Sequence, residues 1–158
     1  AEVAGYGMTC DANHLTAPHP EGRGAILASK AALADAEMEP KRVDYINAHG
    51  TSTPINDPTE TKVVKQVFGD HAYKLKMSST KSMTGHCIGA AGGIEAIVCA
   101  LAIQDQYFPP TIHLQRPDDE CDLDYVPNVG VEGKIDVTMS NSLGFGGHNG
   151  ILILKKAE

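Results

Sequence analysis

Short β-branched or aromatic runs alternate with helix-like runs along most of this chain, and that order restricts the fold more than any other feature. Val3–Met8 reads as a strand, followed by a Pro-containing loop (Leu15–Glu21) and an Ala-rich helix from about Gly22 to Ala36. Pro40 closes that region, and Val43–Ala48 (VDYINA) reads as a buried strand. Asp57-Pro58-Thr59-Glu60 resembles a helix start, with Asp57 as cap, Pro58 in the first turn and Glu60 at the reciprocal capping position. Val63, Val64, Val67 and Phe68 then form one apolar helix face, which Gly69 ends. Lys74–Ser78 reads as a short strand. A helix is predicted from Cys87 to about Gln106, in which Gly89, Gly92 and Gly93 point to close packing against a neighbour. Two last strands are expected near Asp136–Asn141 and Gly150–Lys155. The order β-α-β-α-β-α-β-β predicts an α/β fold, a mixed β-sheet covered by helices, as one domain over residues 1–158.

At 158 residues the chain is long enough to bury a core. Its net charge of −7 argues against nucleic acid, which needs clustered Lys and Arg, but leaves room for an acidic protein partner at a local basic patch. No apolar run reaches the roughly 20 residues of a spanning helix, so no membrane segment is expected. Cys10, Cys87, Cys99 and Cys121 are scattered with no C-x-x-C pair, which makes a disulfide framework or zinc site unexpected and a reducing cytoplasm the expected compartment. The chain opens at Ala1, just before the apolar stretch VAGYGM, and so reads as part of a longer protein.

Three motifs each follow a predicted strand directly: Asn47–Thr53 (NAHGTST), Ser78–His86 (SSTKSMTGH) and Asn141–Gly147 (NSLGFGG). Ligands of open α/β folds gather outside the carboxyl ends of strands, so these loops should converge on one crevice. Taken alone, His49 would read as a hydrogen-bonded structural histidine. The neighbouring Gly50, Thr51, Ser52 and Thr53 instead supply a tight turn and three hydroxyls suited to a polar ligand. His86 is placed at the opening of the apolar helix, where the helix N-terminus should keep its ring neutral and able to donate to an oxyanion. Glu95 on that helix needs a partner, which Lys81, a cation or backbone donors could supply; a buried ion pair there could equally serve only to fix the local structure. His14, His19 and His71 read as solvated, while His113, Cys121 and His148 lack ligand spacing.

From Ala1 to about Lys156 the chain resembles the C-terminal half of the elongating β-ketoacyl-acyl-carrier-protein synthases, ketosynthase II-like members of the thiolase-like fold. The H-G-T-S-T and K-S-x-x-G-H motifs carry the resemblance. It implies an acyltransferase of fatty-acid synthesis, catalysing decarboxylative condensation of malonyl-carrier-protein with an acyl-enzyme thioester. It also implies His49 and His86 as enolate-stabilising donors and Lys81 as the active-site lysine. Thr16, Thr51 and Thr53 would hold the pantetheine arm, and Gly144 and Phe145 would form a gate beside the acyl pocket, where composition alone reads Phe145 as core. Asn47, Glu95, Ser140 and Asn141 correspond to positions that bind a monovalent cation in some members; no other cofactor is implied. The implied partners are acyl carrier protein, the N-terminal half of the same enzyme, and a second copy in a homodimer.

Two features depart from the family pattern. The nucleophilic cysteine belongs to the other half: Cys10 does not match its motif, and Cys87 reads as packing. Leu143 stands where a phenylalanine is usual, which leaves acyl-chain preference open. A thiolase would carry a C-x-G loop where NSLGFGG stands. A non-catalytic partner subunit, like the chain-length factors, would have less reason to keep His49, Lys81 and His86 together.

Overall fold

The computed structural model describes residues 1–157. Among the described residues there are seven strands: β1 (Glu2–Cys10), β2 (Tyr45–Asn47), β3 (Lys76–Ser78), β4 (Tyr107–Phe108), β5 (Val131–Glu132), β6 (Val137–Gly144) and β7 (His148–Lys155). The helices are α1 (Arg23–Asp35), α2 (Asn56–Phe68), a single turn α3 (Lys81–Thr84) and α4 (Ala91–Asp105). Five strands form one sheet in the order β1-β7-β6-β2-β3. β2 runs parallel to both β3 and β6, whereas β7 is antiparallel to β6 and β1. The expected mixed sheet is therefore present. β4 and β5 form a separate two-stranded ribbon in a region expected to be loop.

Alternation along the strands divides the interior between the two sheet faces. Val137 and Met139 of β6, with Ile151 and Ile153 of β7, pack with Ala28 and Ala32 of α1 and with Val63, Val64, Val67 and Phe68 of α2. On the opposite face Tyr45 and Leu154 pack with Cys99, Ala102 and Ile103 of α4. The alanines of α1 and the glycines of β1 have one explanation. A Cβ on Gly5 would lie 2.4 Å from the Ala32 carbonyl oxygen, and one on Gly7 2.0 Å from that of Ala28. Helix and strand approach too closely for any larger residue.

Two helix expectations are corrected. Asp57 does not cap α2. The helix begins at Asn56, whose N–H donates to Thr53 Oγ1 at 3.3 Å, and Asp57 Oδ1 instead accepts the Ser52 N–H at 3.1 Å. Glu60 faces the His49 loop and makes no capping bond. The helix predicted from Cys87 starts only at Ala91, after a 3₁₀ turn (Ile88–Ala90) in which Ile88 has a left-handed φ of +51°. Of its three glycines only Gly92 meets a neighbour: a Cβ there would lie 3.3 Å from Ser142 Oγ, while Gly89 and Gly93 face open space. The segment Ile88–Asp105, 18 residues with mean hydropathy 1.4, is the most apolar helical stretch among the described residues. Its α-helical part, 15 residues, is only about 22 Å long against a hydrocarbon core of about 30 Å.

Candidate active site

β2 and β3 point their carboxyl ends at the same edge of the sheet, and their ladder runs to Asn47 and Ser78. Immediately beyond it the two histidine-bearing segments emerge. His49 is buried, and its loop is held from behind by Glu60 of α2. One carboxylate oxygen accepts the His49 N–H at 2.8 Å and the other the Gly50 N–H at 2.9 Å. Asn141 Nδ2, at the third motif, donates to the same carboxylate at 3.0 Å, and Asn56 Nδ2 donates at 3.4 Å. Four N–H donors compensate a fully buried acid, although burial still raises its pKa. Sequence reading missed this role. An acid in the first turn of a helix looks like a cap, and nothing local reveals that it turns toward a strand end.

The His49 and His86 rings lie 5.5 Å apart between centroids, at an interplanar angle of 83°. Burial chiefly, then the Lys81 ammonium and the neighbouring His86 ring, pull the His49 pKa down to about 3, so its imidazole is neutral at working pH. His86 is exposed in this chain. The expected helix N-terminus does not act on it, because α4 begins five residues later and the dipole effect fades beyond the first turn. Its tautomer is set by the backbone instead: Nδ1 accepts the Ile88 N–H at 3.1 Å, leaving Nε2–H as the free donor.

Of the partners open to Glu95, the structure supplies the Lys81 ammonium, which pairs with Glu95 Oε1, both side chains being buried. Burial raises the Glu95 pKa against the lowering effect of Lys81, and Glu95 Oε2 is buried without a partner. Asn47 and Ser140 are paired residues on β2 and β6 and share the α4 face of the sheet with Glu95. The Asn141 side chain lies on the other face, against Glu60, so the four expected cation-site side chains do not converge. Among the described residues no three His, Cys, Asp or Glu side chains are clustered to hold a metal.

An open crevice of about 1170 Å³ gathers His49, His86, Thr16, Thr51, Thr53 and the Gly144–Phe145 turn. Three motifs and the β1–α1 loop thus meet as expected. Phe145 is 78% exposed, which removes the reading of it as a core residue of this chain. The turn that carries it is tied to the Thr16 loop by Gly146 N–H donating to the Leu15 carbonyl at 2.6 Å. Lys81 does not line this crevice. It borders a neighbouring one of about 550 Å³ that shares Thr51, Thr53 and Pro54. Leu143 packs on the α1/α2 core and reaches the larger crevice.

The remaining candidates have local roles. His14 Nδ1 accepts the Thr16 and Ala17 N–H groups, and His19 Nδ1 that of Glu21, so both organise their loop. His71, expected to be solvated, is half-buried and hydrogen-bonded to the Val43 carbonyl. Cys87 is half-buried beside the Thr84 and Gly85 carbonyls. Burial pushes the Cys99 thiol up to about 12, which makes it inert.

Residues 1–115 match the family described as the β-ketoacyl synthase C-terminal domain. The chain is 58% identical over 156 residues to 3-oxoacyl-[acyl-carrier-protein] synthase 2 of Coxiella burnetii, covering 99% of this chain and 38% of that protein. It is 60% identical over 158 residues to the Staphylococcus aureus protein of the same name, covering 100% and 38%. The chain therefore spans well under half the length of the curated relatives it matches. Among solved structures it resembles the ishigamide ketosynthase/chain length factor, with a TM-score of 0.95 and 43% identity, covering 100% of this chain and 38% of that one. It also resembles AntDE:AntF, a type II PKS acyl-carrier protein in complex with its ketosynthase bound to the hexaketide, with a TM-score of 0.97 and 40% identity, covering 100% and 39%. By the family match over residues 1–115 and the identity to these relatives, this chain belongs to the β-ketoacyl synthase family.

Proposed function

We propose that this chain is the C-terminal part of a 3-oxoacyl-[acyl-carrier-protein] synthase and supplies the groups that make and stabilise the malonyl-derived enolate. The observation that carries this reading is the pair of imidazoles 5.5 Å apart on one crevice, His49 neutral and His86 with a free Nε2–H. When the bond between the malonyl methylene and its carboxylate breaks, carbon dioxide leaves and the electron pair moves into the thioester carbonyl. The oxygen then carries negative charge, and two N–H donors aimed at it lower the barrier without an acid of low pKa. The enolate carbon next attacks the acyl thioester on the cysteine of the N-terminal part, and that thiolate leaves. Lys81, paired with Glu95, adds positive charge behind His49.

Thr16, Thr51 and Thr53 present hydroxyls along the crevice for the polar pantetheine arm. Gly144 and Phe145 gate the acyl side. The partners in this reading are acyl carrier protein bearing acyl and malonyl groups, the N-terminal part of the same enzyme, and a second copy in a homodimer; the compartment is the cytoplasm. A monovalent cation fits the unpartnered Glu95 Oε2 with Asn47 and Ser140, where it would offset buried negative charge; Asn141 contributes no side chain there. A chain-length-factor-like subunit is the alternative, favoured by a structural neighbour of that description.

The test is release of labelled carbon dioxide from malonyl-carrier-protein by the full-length enzyme. His49→Ala and His86→Ala should each slow it by about 100- to 1,000-fold, the usual cost of one oxyanion donor. An unchanged rate in either variant would remove that histidine from the site. A wild-type enzyme that releases none would favour the non-catalytic subunit.

A further inference from the structure

The β2–β3 ladder ends with the Ala48 N–H donating to the Ser78 carbonyl at 2.9 Å. Beyond that bond the two segments part, one toward His49 and the other toward Lys81 and His86. Two side-chain contacts still join them: Asn47 Nδ2 donates to Thr80 Oγ1 at 3.1 Å, and the Ser79 hydroxyl donates to the Gly50 carbonyl at 2.6 Å, the latter acting as an extra rung past the end of the strands. Ser79 is buried, and its own backbone is fixed on both sides. Its N–H donates to Thr111 Oγ1 at 3.0 Å. Its carbonyl accepts the Ser82 N–H at 3.2 Å and Ser82 Oγ at 2.8 Å, which closes the turn leading to His86.

Gly50 has a left-handed φ of +40°, and a Cβ there would stand 2.5 Å from Ser79 Cβ. The two residues therefore interlock: only glycine leaves room for the serine, and only a short hydroxyl side chain reaches the Gly50 carbonyl. The Gly50 N–H is meanwhile held by Glu60, so the residue following His49 is anchored through both its N–H and its carbonyl.

We propose that Ser79 is a positioning residue that sets the separation of the His49 and His86 rings. It touches no reacting atom. It acts by coupling the two loops, and the proposal rests on the enolate-stabilising reading of those rings. Enolate formation needs both donors on one oxygen, whereas acyl transfer to the cysteine of the N-terminal part does not. A loosened rung should therefore damage the first step selectively, since displacements of about 1 Å can cost of order 100-fold.

The experiment compares Ser79→Ala with wild type in the full-length synthase, following carbon dioxide release from malonyl-carrier-protein and acylation of the cysteine separately. The expected result is a fall in kcat for release of about 10- to 100-fold, with KM and the acylation rate unchanged. Release at the wild-type rate would overturn the proposal, as would an equal loss of both half-reactions, which marks general damage to the fold. If Ser79→Ala does not accumulate as folded protein, Ser79→Cys keeps the shape and weakens the donor. It should show the same selective loss to a smaller degree, and no selective loss in it would also overturn the proposal. A wild-type enzyme that releases no carbon dioxide defeats the enolate reading itself. Wild-type release that persists unchanged in the Ser79 variants defeats only the role of Ser79.

Discussion

Glu60 and His49 share one problem, the burial of a titratable group, and solve it oppositely. His49 escapes by staying neutral, its pKa held at about 3. Glu60 is surrounded by N–H donors from His49, Gly50, Asn56 and Asn141. Each carboxylate oxygen accepts two of them, so an amide in its place must turn an N–H₂ toward N–H groups. Glu60→Gln in the full-length enzyme should therefore cost about 1–3 kcal/mol of stability, the usual price of leaving buried donors unpaired. Thermal unfolding checks this, and an unchanged melting temperature would mean that the His49 loop holds its shape without the carboxylate.

At the scale of elements, the site is made by strand ends and the turns that leave them. β2 and β3 are three residues each, and both stop where the chemistry begins. The turn after β6 is different in kind: Gly144, Gly146 and Gly147 flank Phe145, whose ring is largely exposed over the crevice. Phe145→Ala should leave unfolding nearly unchanged, within about 0.5 kcal/mol, while altering selectivity among acyl chain lengths. A loss of about 3–5 kcal/mol with unchanged selectivity would instead mark a core phenylalanine. The helix after His86 starts later than periodicity predicts because an apolar, Ala/Gly-rich run carries no start signal of its own. Ile88, in a left-handed conformation, interrupts it where periodicity does not.

At the scale of the whole molecule, α4 covers the sheet with one side and leaves Ile97 and Leu101 exposed on the other, while Val3, Tyr6 and Met8 of β1 are exposed as well. So much uncovered apolar surface favours association. The 158-residue chain expressed alone should self-associate at micromolar concentration and yield no 3-ketoacyl product; sedimentation and a condensation assay check both, and a monodisperse, active chain would contradict the proposed division of the enzyme. The alternation of strand and helix, the α2 core face and the convergence of three motifs were legible in the sequence because each depends on local periodicity or on turn residues beside a strand end. That Glu95 needs a buried partner was legible too, since a carboxylate on so apolar a helix is costly alone, but the choice of Lys81 over backbone donors was left to the tertiary structure. Tertiary structure alone decided where Glu60 turns, which sheet face takes Asn141, and that Ser79 meets Gly50. Those are contacts between segments distant in sequence, fixed by strand register and helix placement, and no local pattern encodes them.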